Sequence, residues 1–127
     1  MAKVVVDASA LLALLNSEQG AEEVAKALTG AVIGSVNLCE VIGKLAETGM
    51  KQEEIGRILF PLGLTIEVFD EDQAYTAGIL RSSTKSAGLS LGDRACLGLA
   101  KKLGVPVLTA DRTWLDLSIG VKIRAIR

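Results

Sequence analysis

The chain has no histidine at all among its 127 residues. That excludes a histidine general base and histidine-ligated zinc, so any hydrolytic centre must be built from carboxylates, hydroxyls, lysines or the two cysteines. Aromatic residues make up only 3% while half of the residues are hydrophobic, so the core must be assembled from Val, Ile, Leu and Ala. That mixture suits buried parallel strands flanked by helices better than an all-β sandwich. Cys39 and Cys96 stand far apart and outside any CxxC pattern, on segments that read as helices; they are expected to be reduced and buried. No apolar run approaches the roughly 20 residues a membrane span needs, since VVVDASALLALL is broken by Asp7. The N-terminus also lacks a secretory pattern, which implies a cytoplasmic protein. A net charge of −1 gives no global field for a polyanion, leaving only local patches: Arg81 with Lys85, Arg94 with Lys101 and Lys102, Arg112, and the tail cations Lys122, Arg124 and Arg127.

What is present is a regular alternation of strand and helix signals. Lys3 to Val6 is a β-branched run, followed at once by ASALLALLN with helical spacing and Asp7 at its cap. Helices are expected over Gln19 to Leu28, over the stretch after Ser35 or Asn37 up to Gly49, over Gln52 to Phe60, from Asp70 through EDQAYTAGILRSSTKS, and from Ser90 to Gly104. Strands are expected over Ala31 to Gly34, Leu64 to Phe69 and Val105 to Thr109, with VKIRAI as a final edge strand. The two helices between Asn37 and Phe60 read as an antiparallel pair. This pattern predicts one α/β domain over residues 1–127, a three-layer α/β/α arrangement around a mostly parallel sheet with right-handed crossovers.

Four acids fall where apolar strand-like runs give way to helix starts: Asp7, Glu40, Asp93 and Asp111. In open α/β sheets the ligand crevice lies beyond the carboxyl ends of the strands, so these acids can converge. Each also has a structural explanation. Asp7 can be an N-cap, Glu40 the partner of Asn37 in a capping box, Asp93 the partner of Ser90 in another, and Asp111 the cap of the turn containing Trp114. Collectively they argue for more. Two bare charges ~4 Å apart repel by ~4 kcal/mol at an effective dielectric near 20, a cost that a divalent cation removes. Oxygen-only donors suit Mg²⁺ or Mn²⁺, and the chemistry such a site supports is hydrolysis of a phosphodiester without a covalent intermediate.

In these segments the chain resembles the PIN-domain ribonucleases, in particular the VapC-type toxins of toxin–antitoxin pairs. VVVDASALLALL is similar to the family's first strand and acid, VNLCEV to its Glu-bearing helix, and LSLGDRACLGLAKKLGVPVLTADRTW to its closing block, in which Leu89-x-x-x-Asp93, a helix, an apolar strand and Thr109-x-Asp111 follow in order. The resemblance implies that Asp7, Glu40, Asp93 and Asp111 surround Mg²⁺ or Mn²⁺ for RNA cleavage. Asp7 and Asp93 would touch the ion, while Glu40 and Asp111 would act through water, a second ion or the nucleophile's proton. It also implies a homodimer whose groove is lined by both subunits and a small antitoxin partner, for which the Gln52 to Phe60 helix and its neighbour offer an apolar surface. Ser9 and Thr109 can support the acids or simply make structural bonds, and Asp116 is a further candidate ligand. Trp114 reads as packing or as a base-stacking platform, and Arg94 and Arg112 as phosphate contacts or counter-ions.

Other readings meet specific obstacles. A haloacid-dehalogenase phosphatase expects an aspartate where Ser9 stands. A receiver domain expects a lysine where Thr109-Ala110-Asp111 stands. A non-toxin RNA-processing nuclease of the same fold, or a non-catalytic RNA-binding module, remains the alternative.

Overall fold

The computed structural model describes residues 2–127. Its centre is a five-stranded sheet in the order β3-β2-β1-β4-β5, with every neighbouring pair parallel. The strands are short: β1 is Val4–Val6, β2 Ala31–Gly34, β3 Thr65–Glu67, β4 Val107–Thr109 and β5 Ile123–Ala125. Six α-helices flank them among the described residues: α1 Ala8–Leu15, α2 Ala21–Ala27, α3 Ser35–Glu47, α4 Gln52–Leu59, α5 Glu71–Ser83 and α6 Leu91–Leu103. The expected three-layer α/β/α architecture is therefore present, and the final strand lies at a sheet edge as its alternation predicts.

The two faces of the sheet can be read from residue parity. Val4 and Val6 of β1, Ala31 and Ile33 of β2 and Leu108 of β4 pack with Leu11, Val24, Val41 and Ile55 from α1 to α4. Val5, Val32 and Val107 point the other way, onto Leu80 of α5 and Cys96, Leu97 and Leu99 of α6. Because successive strand residues alternate faces, a run such as VVV is buried on both sides only when helices cover both sides.

The local signals that set the boundaries are visible at α6. Ser90 accepts a hydrogen bond from the Asp93 N–H at 3.1 Å while the Asp93 carboxylate accepts from the Ser90 N–H at 3.0 Å, the reciprocal capping box spelled by the sequence. The helix ends at Gly104, whose φ of 67° is left-handed backbone that glycine adopts without penalty.

The differences from expectation lie mostly at element ends. The third strand is confined to Thr65–Glu67 and α5 stops at Ser83, with a separate 3₁₀ turn over Lys85–Ala87. More consequentially, α3 begins at Ser35 directly after β2, with Gly34 as its N-cap. Asn37 thus lies inside the helix and is no cap. Cys96 is fully buried as expected, but Cys39 is exposed, because it lies on the solvent side of α3. No helix among the described residues is long and apolar enough to cross a membrane.

The candidate active site at the carboxyl edge of the sheet

Sheet order places a crevice at one position. The chain runs outward from β1 through β2 to β3, then returns to the other side of β1 for β4 and β5, so the direction of winding reverses between β1 and β4. Asp7 follows β1 immediately, and Thr109 ends β4 two residues before Asp111. The sequence-predicted acids thus flank the topological switch point.

Asp7 is buried, with 5% of its surface exposed. Its Oδ1 accepts the Ala10 N–H at 2.8 Å, capping α1, and its Oδ2 accepts the Thr109 hydroxyl at 2.6 Å. The Ser9 hydroxyl lies 2.8 Å from Oδ1 and 2.9 Å from Oδ2, and Ser9 Oγ in turn accepts the Ala110 N–H at 2.9 Å. Thr109 Oγ1 accepts the Asp111 N–H at 3.0 Å. Ser9 and Thr109 therefore fix the plane of Asp7 and tie it to the strand that carries Asp111. Burial pushes the Asp7 carboxyl above its usual range; the hydrogen bonds from Thr109, Ala10 and Ser9 oppose that shift, and the charge of Asp93 adds to it.

Glu40 reaches α6 from α3. Asn37 Nδ2 donates to Glu40 Oε1 at 2.9 Å and to the Gly92 carbonyl at 3.0 Å, so the carboxylate is held against the first turn of α6, beside Asp93. Asp93 itself is half-buried behind its capping bonds. The Cys96 thiol, one turn further along α6, reports how the charges are arranged. Burial pushes it well above its ordinary pKa, and the carboxylates of Asp7, Asp93 and Glu40 push it further in the same direction.

Asp7, Glu40 and Asp93 thus lie near enough for their charges to act on the one thiol. Asp111 is exposed and accepts the Thr113 N–H at 3.0 Å and the Thr113 hydroxyl at 2.6 Å, so it caps the 3₁₀ turn Arg112–Asp116. As placed, no three Cys, Asp or Glu side chains among the described residues approach closely enough to ligate a single ion. Asp116 closes the 3₁₀ turn, exposed, and no hydrogen bond among the described residues ties it to the four acids.

The neighbouring cations are engaged elsewhere. Arg94 is 9% exposed and donates to the Ala77 carbonyl of α5 at 3.0 Å; it is neither a phosphate contact nor part of a solvated patch, because this face of α6 packs on α5. Arg112 donates to the Arg127 carbonyl at 2.9 Å, Arg127 pairs with Glu18 at 2.9 Å, and Lys102 lies 3.3 Å from Asp72. Trp114 is 1% exposed and packs under the sheet, which removes the stacking alternative. A groove of about 540 Å³ leads away from Ser9 between α1 and α3, with Lys44 and Arg127 on its walls beside Glu47 and Glu18, the carboxylates they pair with.

Asn37 is the residue whose role the sequence hid. Its spacing of three from Glu40 was readable, and it fitted a capping box equally well. Only the helix start at Ser35 reveals a side-chain pair on one helix face.

Comparison with known proteins agrees with this fold. The PIN domain family matches residues 4–119, and the chain belongs to that family. Among characterised relatives, the VapC ribonuclease Mb2780c of Mycobacterium bovis and ribonuclease VapC42 of Mycobacterium tuberculosis are each 29% identical over 116 residues, an alignment covering 83% of this chain and 88% of each relative. Among solved structures, the DNA-bound VapBC of Salmonella typhimurium superposes with a TM-score of 0.80 at 18% identity, covering both chains completely. A toxin–antitoxin complex from Klebsiella pneumoniae gives 0.78 at 19% identity over 98% of each chain.

Proposed function

We propose that the chain is a single nuclease domain that cleaves RNA endonucleolytically with Mg²⁺ or Mn²⁺, and that it is the toxin of a type II toxin–antitoxin pair acting in the cytoplasm. The observation that carries this reading is Asp7. Capping a helix does not require burying a carboxylate, because exposed caps work as well; holding one in a desolvated crevice beside Asp93 and Glu40 raises its pKa and opposes folding. Glu40 adds weight, since it caps nothing.

The donor set suits a hard divalent cation. All donors are oxygens, and Asp7, whose carboxylate offers about four lone-pair directions, keeps acceptor capacity beyond its bonds to Ala10, Ser9 and Thr109. Mg²⁺ commonly takes one or two carboxylates and completes its shell with water and phosphate oxygens, so separated acids fit it better than a closed cage. Asp7 and Asp93 would hold the ion directly, with Glu40 and Asp111 reaching it through water. When bound, such an ion lowers the pKa of a water molecule and offsets charge on the leaving oxygen. The chain's own residues orient the acids. Ser9 and Thr109 fix Asp7, Ser90 fixes Asp93, and Glu40, held by Asn37, would take the proton of the attacking water as the P–O bond breaks.

A toxin role is supported by relatives named VapC ribonucleases and by structural neighbours that are VapBC complexes. An apolar groove of about 530 Å³ formed by α3, α4 and β3, with Phe60 90% exposed beside it, offers a surface of the kind an antitoxin helix occupies. Tyr75 and Ile79, exposed one turn apart on α5, offer another to a second copy of the chain.

The opposing reading also has a specific observation behind it. Asp7, Asp93 and Asp111 all accept backbone N–H groups at helix or turn starts, as purely structural caps would. The test is to incubate the folded protein with a mixed structured RNA pool plus Mn²⁺, Mg²⁺ or EDTA, beside Asp93→Asn, which retains an acceptor for the Ser90 N–H. Discrete cleavage that disappears with EDTA and in the variant is expected. A folded protein that cuts nothing with either metal and binds no Mn²⁺ would leave a non-catalytic RNA-binding module.

A further inference from the structure

Glu40 stands where a side chain at position 92 would have to be. A Cβ built on Gly92 would lie 2.7 Å from both Glu40 Cδ and Oε1, and closer still to Oε2. With contacts that short, the flexible end of Glu40 would have to swing aside. The carboxylate therefore rests on bare backbone in the first turn of α6, one residue before Asp93.

Asn37 closes the arrangement from the other side. It is 2% exposed, and its amide nitrogen spends its two N–H donors on Glu40 Oε1 and on the Gly92 carbonyl. Its Oδ1 finds no partner among the described residues. A buried amide with an unpaired oxygen is unfavourable unless its remaining bonds are worth keeping. Here those bonds fix a surface-exposed glutamate that would otherwise sample several rotamers.

We infer that Asn37 and Gly92 are positioning residues, a two-part lock that holds Glu40 at a fixed offset from Asp93 across the contact between α3 and α6. The lock depends on chemistry that neither helix needs for folding. Alanine is the better helix former, and a glycine in the first turn is otherwise a cost. The lock acts on catalysis only if the acids hold the divalent ion proposed above, and the experiment separates the two.

Mn²⁺ binding, followed by electron paramagnetic resonance, cleavage rate and melting temperature would be measured for the wild type, Asp7→Asn, Asn37→Ala, Gly92→Ala, Glu40→Ala and the double variant Glu40→Ala/Gly92→Ala. Displacing a group that orients a metal-site acid typically weakens metal affinity or activity 10- to 100-fold, so Asn37→Ala and Gly92→Ala are each expected to lose about 10-fold or more while remaining folded. Because the atoms in its way are the movable end of Glu40, Gly92→Ala should raise the melting temperature less while Glu40 is present than once Glu40 is alanine. In the double variant it should cause no further loss of Mn²⁺ affinity beyond that of Glu40→Ala. If the wild type binds Mn²⁺, Asp7→Asn abolishes binding, and yet both lock variants bind as the wild type does, the lock is overturned and the nuclease reading survives. If the wild type neither binds Mn²⁺ nor cuts RNA, the nuclease reading itself falls and the lock loses its function with it.

Discussion

Thr109 donates its hydroxyl proton to Asp7 Oδ2 at 2.6 Å, joining two residues 102 positions apart at the ends of adjacent strands. The same oxygen accepts the Asp111 N–H at 3.0 Å, so one hydroxyl sets the spacing of two acids. Thr109→Val keeps the shape and removes both bonds. It leaves the Asp111 N–H without its acceptor, a loss of about 1–3 kcal/mol for a buried group. It also removes the first of the hydrogen bonds that oppose the raised pKa of Asp7. The expected outcome is a less stable protein whose cleavage falls about 10-fold or more, with the acidic limb of its pH–rate profile moved to higher pH. Thermal melts and rates across the pH range check both.

Asp7 itself is a case of stability given up for a site. Its folded pKa is raised, chiefly by burial, so the folded protein binds a proton there more readily than the unfolded chain does. By linkage, the contribution of this group to stability is most favourable below its unfolded pKa and is lost as pH rises through the folded value. Asp7→Asn removes the charge and retains an acceptor for the Ala10 N–H. It is expected to melt higher than the wild type at neutral pH, with the gain shrinking as pH falls through the raised folded pKa and gone by the unfolded value of about 4, and to cleave no RNA. Adding Mg²⁺ should raise the melting temperature of the wild type and leave the variant unmoved. A variant that melts lower than the wild type at neutral pH would show that the buried charge is not a net cost.

All four acids were picked out in the sequence because strand ends and capping spellings mark them, and for Asp7, Asp93 and Asp111 those capping spellings proved structurally true as well. What could not be read was phase. The α6 helix is buried from Arg94 through Ala100, on every side, so no amphipathic stripe tells which residue faces α5 and which the acids. Arg94, next to a site acid, therefore looked like a phosphate contact. Around Glu40 the obstacle was different: β2 passes into α3 without a loop, and the missing punctuation left the helix start open between Ser35 and Asn37. The clash at Gly92 was invisible for another reason, since it pairs residues from separate helices.

Arg94 makes the sharpest contrast between neighbours. Its guanidinium is buried, no carboxylate among the described residues lies within salt-bridge distance, and its Nε is unpaired. The Ala77 carbonyl that it contacts lies within α5, where a later backbone N–H of the same helix is also available to it. Replacing such a charge by an apolar side chain of similar length is often neutral or stabilising. Arg94→Met is expected to change stability by no more than about 1 kcal/mol and to leave the KM for RNA unchanged. A several-fold rise in KM with intact folding would return Arg94 to the substrate.

Trp114 offers the same kind of test on the same side of the sheet. It is the largest fully buried side chain, packed in the core with Val107 and Ile119, and its indole N–H has no acceptor among the described residues. Trp114→Ala should therefore cost about 3–5 kcal/mol through lost burial and the cavity left behind. Trp114→Phe removes the unpaired donor along with part of the ring, and these effects partly cancel, so a loss of about 1 kcal/mol is expected. Trp114→Phe keeps the turn capped by Asp111 filled, and at a temperature where it remains folded its rate of RNA cleavage should match the wild type. A Trp114→Phe protein that melts normally yet cuts slowly would mean that the ring meets the substrate after all, which its burial under the sheet argues against.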